Sequence, residues 1–197
     1  MRRLRVIEDA DGSFRFVESD TESLWGAAAG EPIEGALNAN AIRALPETPR
    51  VVLRSFRAID DAESAFASWS NAGWESLESR VQEAIGAVGA ARPGVEIVLW
   101  PSAGSVLSDG VSTLSFARKH PAVGLVIDPV AWVTSSMRAD AEDHLDRFAR
   151  ALSLCETLAA VVVRGLDGSD GSPGIDARGV ETLLGPAIGR AGVVAYA

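Results

Sequence analysis

The chain has 197 residues, 47% hydrophobic and 23% charged, with a formal net charge of −9 and an isoelectric point near 4.7. That length suits one domain, 1–197, with a substantial core, and the acidic balance would repel a phosphate backbone, so no nucleic-acid partner is expected. A single cysteine, Cys155, excludes an internal disulfide, and no apolar run approaches the ~20 residues of a membrane span.

A reducing, cytoplasmic setting without membrane contact is therefore the expectation. Arg2, Arg3 and Arg5 flank a strand end, and the run after them is too short for a signal-peptide core. Residues 1–49 read differently from the rest. Leu4–Glu8 and Phe14–Glu18 predict a hairpin around Asp9-Ala10-Asp11-Gly12, with Gly12 supplying a positive φ. The Ala- and Gly-rich stretch that follows predicts helices near Glu22–Ala29 and Asn38–Ala44, broken by Pro32, Pro46 and Pro49.

From Arg50 strand and helix alternate. Val51–Arg54 reads as a strand, and Asp60–Trp69 and Trp74–Val88 as helices with apolar residues at helical spacing. Arg92-Pro93-Gly94 stops the second helix before strand Val95–Leu99. Ser108 or Asp109 caps a helix that runs to Lys119, where His120-Pro121 ends it before strand Val123–Ile127. Asp140–Leu158 predicts the longest helix, with Cys155 on its apolar face as a core residue. Strand Ala159–Val163, the Gly-rich loop Gly165–Gly174, helix Arg178–Leu184 and strand Val193–Tyr196 complete the order. The strands after residue 49 start about 30–45 residues apart, the pitch of βαβ units.

Short, mostly apolar strands suggest a parallel sheet buried on both faces, and ligands of such sheets bind beyond the carboxyl ends of the strands. Trp100, Ser102 and Asp128 stand at those ends. The loop GLDGSDGSPG lacks the Lys-Ser/Thr of a P-loop and the spacing of a dinucleotide fingerprint, so no cofactor is expected from it.

The phrases VEIVLWPSAGSVLSDG, ARKHPAVGLVIDP and AVVVRGLDGSDGSPGID resemble the xylose isomerase-like TIM-barrel family, which holds sugar and sugar-phosphate isomerases and epimerases and endonuclease IV-type enzymes. The resemblance implies an α/β fold with a TIM-barrel-like parallel sheet. A full barrel usually needs ~250 residues, so the expectation is a shortened or incomplete barrel with an N-terminal β-hairpin. A flavodoxin-like open sheet is the alternative fold.

Departures from the family pattern decide the functional expectation. Trp100 replaces the metal-binding Glu, with Ser102 two positions on; Ala131, beside Trp132, replaces a His; Arg164 and Arg54 stand where other histidines are expected. Asp128 and Asp167 keep their identity, and no Glu follows the last strand at Tyr196-Ala197. Two carboxylates without imidazole are too few for the family's divalent metal. The resemblance thus implies a member that has lost its metal site and binds a ligand without catalysis. In that reading Arg54 and Arg164 neutralise the carboxylates or grip a small anionic or sugar ligand. Trp100 and Trp132 serve as walls or volume fillers, and Asp128 and Asp167 are the candidate acid–base groups. The alternatives are an active isomerase or epimerase using an Asp/Arg site on a sugar or sugar phosphate, and an oligomeric structural subunit. A homodimer or larger homo-oligomer is expected, because an incomplete barrel exposes edges and apolar surface that a second copy would cover.

Overall fold

Eight strands close into one barrel in chain order: β1 (Arg2–Glu8), β2 (Phe14–Glu18), β3 (Leu24–Ala28), β4 (Arg50–Ser55), β5 (Glu96–Pro101), β6 (Val123–Ile127), β7 (Leu158–Val163) and β8 (Val193–Tyr196). The computed structural model describes residues 1–10, 12–28, 39–55, 70–101, 105–168 and 174–197. β2 runs antiparallel to β1 and β3, whereas all other neighbouring pairs, including β1 with β8, are parallel. The expected hairpin forms with Leu4 opposite Glu18 and Glu8 opposite Phe14, and Gly12 takes φ 77° in its turn. It is part of the barrel wall, because β1 also pairs with β8 from Arg2↔Val193 to Arg5↔Tyr196.

This architecture overturns the expectation of a shortened or incomplete TIM-barrel-like parallel sheet, and the open-sheet alternative with it. The barrel is closed and mixed, and it opens with an antiparallel β1-β2-β3 meander with no helix among the described residues of its two turns. The xylose isomerase-like resemblance loses its structural basis, and the isomerase reading goes with it.

The segment expected as a helix near Glu22–Ala29 is strand β3 over Leu24–Ala28. Phe16 pairs with Gly26 and Val17 with Leu24, leaving Trp25 as the extra residue of a β-bulge. Gly26 is needed for close approach to β4: a Cβ there would lie 3.1 Å from Val52 Cγ2. The pairing and burial of β3 outweigh the helical preference of its alanines.

Six helices are α1 (Ala39–Ala44), α2 (Asn71–Ala91), α3 (Gly110–Lys119), α4 (Ala141–Leu152), α5 (Ala177–Leu183) and α6 (Gly185–Ala191) among the described residues. The helix expected over Asp60–Trp69 lies outside those residues. Asp109, rather than Ser108, caps α3 by accepting from Val111 N and Ser112 N at 2.7 and 2.9 Å. Helix α4 stops at Leu152, six residues before the expected end. There Ser153 Oγ takes the Arg150 carbonyl at 2.7 Å, and Arg190 Nε caps the Cys155 carbonyl at 3.1 Å. Cys155 is buried, as expected of a core residue, but in the turn after α4.

Strand alternation divides the core in two. Val52, Val98, Val126, Val162 and Ala195 point into the barrel with Leu4 and Phe16. Val51, Leu53, Leu99, Leu125, Val161 and Val194 point outward beneath the helices. Burial of both faces explains the near-continuous apolar strands. An eight-stranded barrel is just wide enough for side chains to fill. Phe16, Trp25 and Trp100 supply bulk there, against the small residues Ala28, Ala160 and Ala195.

Candidate functional site

Two steps beyond Val52, Val98, Val126 and Val162, the same inward alternation reaches Arg54, Trp100, Asp128 and Arg164 at the carboxyl ends of the strands. On β1 the inward series Leu4, Val6 ends in Glu8, and Phe14 faces it from the start of β2. These side chains line a cleft of about 330 Å³ at the barrel mouth, together with Val6, Pro101, Ala131 and Ala197.

Asp128 is 6% exposed and is the only buried acidic or basic residue among those described. Its Oδ2 lies 3.0 Å from Arg164 Nε, and its Oδ1 accepts from Ala131 N at 3.1 Å, capping the short 3₁₀ turn Pro129–Trp132. Burial pushes the Asp128 carboxyl above its ordinary range, and the Arg164 charge and the backbone N–H of Ala131 pull it back only in part. The Arg164 side chain is 44% exposed, so water screens the attraction while the carboxylate bears the desolvation cost.

Arg54 sits differently. Its guanidinium carbon lies 4.7 Å from the Phe14 ring centre and 5.5 Å from that of Trp100. Those rings are held edge to face at 5.4 Å, and Trp100 also packs edge to face on Phe16 at 5.3 Å. Among the described residues Arg54 has no carboxylate partner. Arg50, two periods of alternation lower on the same strand, is the contrast: it lies over Trp25 at 4.6 Å but also bonds Glu96 at 2.8 Å. The register accounts for this, since Arg50 faces Glu96 on β5 whereas Arg54 faces Trp100.

The structure thus brings Arg54, Trp100, Asp128 and Arg164 together and separates the other expected site residues from them. Trp132 is buried outside the barrel, ring to ring with Phe148 of α4 at 5.4 Å, and is a volume filler, not a wall of the mouth. Asp167 is exposed beyond β7, away from the cleft lining; its carbonyl accepts from Arg138 Nη1 at 2.8 Å. Ser102 lies outside the described residues. Sequence reasoning missed Glu8 and Phe14, whose signal was the period-2 face Leu4-Val6-Glu8 of a hairpin expected to sit beside the barrel and found within its wall. His120, which ends α3, stacks on Phe116 at 4.5 Å with its Nε2 buried.

Among the described residues no group of three or more His, Cys, Asp or Glu side chains could hold a metal ion, and no helix is long and apolar enough to cross a membrane. Arg2, Arg3 and Arg5 are each paired, with Glu18, Glu181 and Glu22. Comparison with protein-family models, curated proteins and solved structures finds no match to this chain.

Proposed function

We propose that the protein binds a small molecule at the barrel mouth through a carboxylate or phosphate group held by Arg54. The observation that carries this reading is the difference between the two inward arginines of β4. Arg50 has its carboxylate; Arg54 lies over two aromatic rings beside an open cleft with none among the described residues. The rings hold the guanidinium by cation–π attraction and leave its N–H donors for a planar anion. The described lining holds no His, Cys or Lys, and the Asp128 carboxylate is engaged by Arg164 and Ala131. Binding without turnover fits this set better than acid–base chemistry.

Thermal unfolding with a panel of small carboxylates, sugar phosphates and inorganic phosphate tests the proposal. A ligand at one hundred times its Kd should raise Tm by roughly 5–10 °C for a chain of this size. Arg54→Gln should keep the fold and abolish that rise. A rise that survives in Arg54→Gln, or no rise with any anion, overturns the reading.

A further inference from the structure

Four charged side chains line the cleft, Glu8, Arg54, Asp128 and Arg164, and their formal charges sum to zero. Asp128 and Arg164 pair with each other. The remaining two, Glu8 and Arg54, have opposite signs, and neither has a partner of opposite charge among the described residues. Phe14 stands between them: it is the register partner of Glu8 across the hairpin, and its ring carries the Arg54 guanidinium at 4.7 Å. Directly opposed residues of antiparallel strands have Cβ atoms about 4.5–5.5 Å apart. The two unpaired charges therefore flank a single aromatic ring.

We propose that the ligand of this cleft is a small zwitterion of the α-amino acid class, its carboxylate on Arg54 and its ammonium on Glu8. The inference rests on the reading of Arg54 as an anion site and adds the second charge. A net-neutral ligand satisfies both unpaired groups and leaves the cleft uncharged. A phosphate dianion would instead add negative charge beside Glu8 and Asp128 in a chain that already carries −9. The other lining groups, Val6, Phe14, Trp100, Pro101 and Ala131, offer apolar and aromatic surface to a side chain, and about 330 Å³ lies within the range of small-molecule pockets.

Calorimetric titration of the full chain with the standard L-amino acids, and of the tightest binder against its deaminated carboxylate, tests this. The amino acid should bind at least about tenfold more tightly than the deaminated acid. Glu8→Gln, an exposed position where folding is safe, should bring that ratio to near one without weakening the carboxylate. If the deaminated acid or inorganic phosphate binds as well as every amino acid, the zwitterion is overturned while the anion site stands. If Glu8→Gln leaves the ratio unchanged, the ammonium is not on Glu8 and the proposal falls. If no amino acid and no anion binds, both readings fall together.

Discussion

Asp128 and Arg164 show how a charge pair at a barrel mouth can be structural without being strong. The Asp128 side chain is 9% exposed, while the Arg164 side chain, whose Nε lies 3.0 Å from it, stays 44% exposed. Removing the arginine strands a buried charge, which costs several kcal/mol when both partners are buried, but solvent at the Arg164 side reduces this to about 1–2 kcal/mol. Arg164→Ala should lower urea-unfolding stability by that amount, and Arg164→Ala with Asp128→Asn should recover part of it, since Asn keeps an acceptor for Ala131 N. Strictly additive losses in the double-mutant cycle would show that the two groups are not coupled. The pH dependence has a definite sign. A carboxyl whose folded pKa is raised above its ordinary 3.8 contributes stability that is fully present below pH 3.8 and is lost as pH rises through the raised value. The stability of the natural chain relative to Asp128→Asn should therefore increase as pH falls from 7 toward 4; a flat difference would contradict the burial-driven shift.

Where helix meets helix, the close approach of α3 and α4 depends on the absence of one side chain. A Cβ built on Gly110, the first residue of α3, would lie 2.7 Å from Ala151 Cβ near the end of α4. Gly110→Ala should destabilise by about 1–3 kcal/mol through overpacking, and Ala151→Gly in the same chain should recover most of the loss. Denaturant midpoints at unchanged m-value measure both; a neutral single variant would mean that the helices move apart freely. Elements of this kind were legible where local chemistry and tertiary need agreed. Asp109 before an apolar-periodic run gave α3, and the run Val123–Ile127 coincides with β6. They were illegible where the two conflicted. The alanines of β3, Ala27 and Ala28, favour a helix by propensity, and only their partners Arg15 and Phe14 on one side and Val51 and Val52 on the other make it a strand. Helix α6, absent from the expected order, starts at Gly185-Pro186, because Pro at a first helical turn lacks only an N–H that has no helical acceptor there.

At the scale of the whole molecule, one misread element changes the architecture. Five strands after residue 49 and a hairpin beside them describe an open sheet; recognising Leu24–Ala28 as the strand between β2 and β4 brings the number to eight and closes the ring. Closure leaves no free sheet edge, which was one of the two grounds, with apolar surface, for expecting a second copy. The mouth was legible in Arg54, Trp100, Asp128 and Arg164, which follow inward valines at period 2. Glu8 became part of it only once the hairpin was placed in the wall. Closure rests on the shortest strand after the meander, β8, which pairs with β7 through Val161↔Val194 to Val163↔Tyr196 and with β1 through Arg2↔Val193 to Arg5↔Tyr196. Ala195 is fully buried at its centre, inside the barrel and flanked by partners on both sides. The Ala197 N–H reaches Val163 O on β7, and the strand's alternation turns the Ala195 N–H to the same side, so proline at 195 removes a ladder bond to β7. Ala195→Pro should therefore open the β7–β8 seam. Its amides on Val161–Val163 and Val193–Ala197 should lose hydrogen-exchange protection before those of β4 and β5, and the freed edges should drive concentration-dependent association in light scattering. A variant that keeps uniform protection around the ring, and remains monodisperse to the same extent as the natural chain, would show that the barrel does not depend on β8 for its closure.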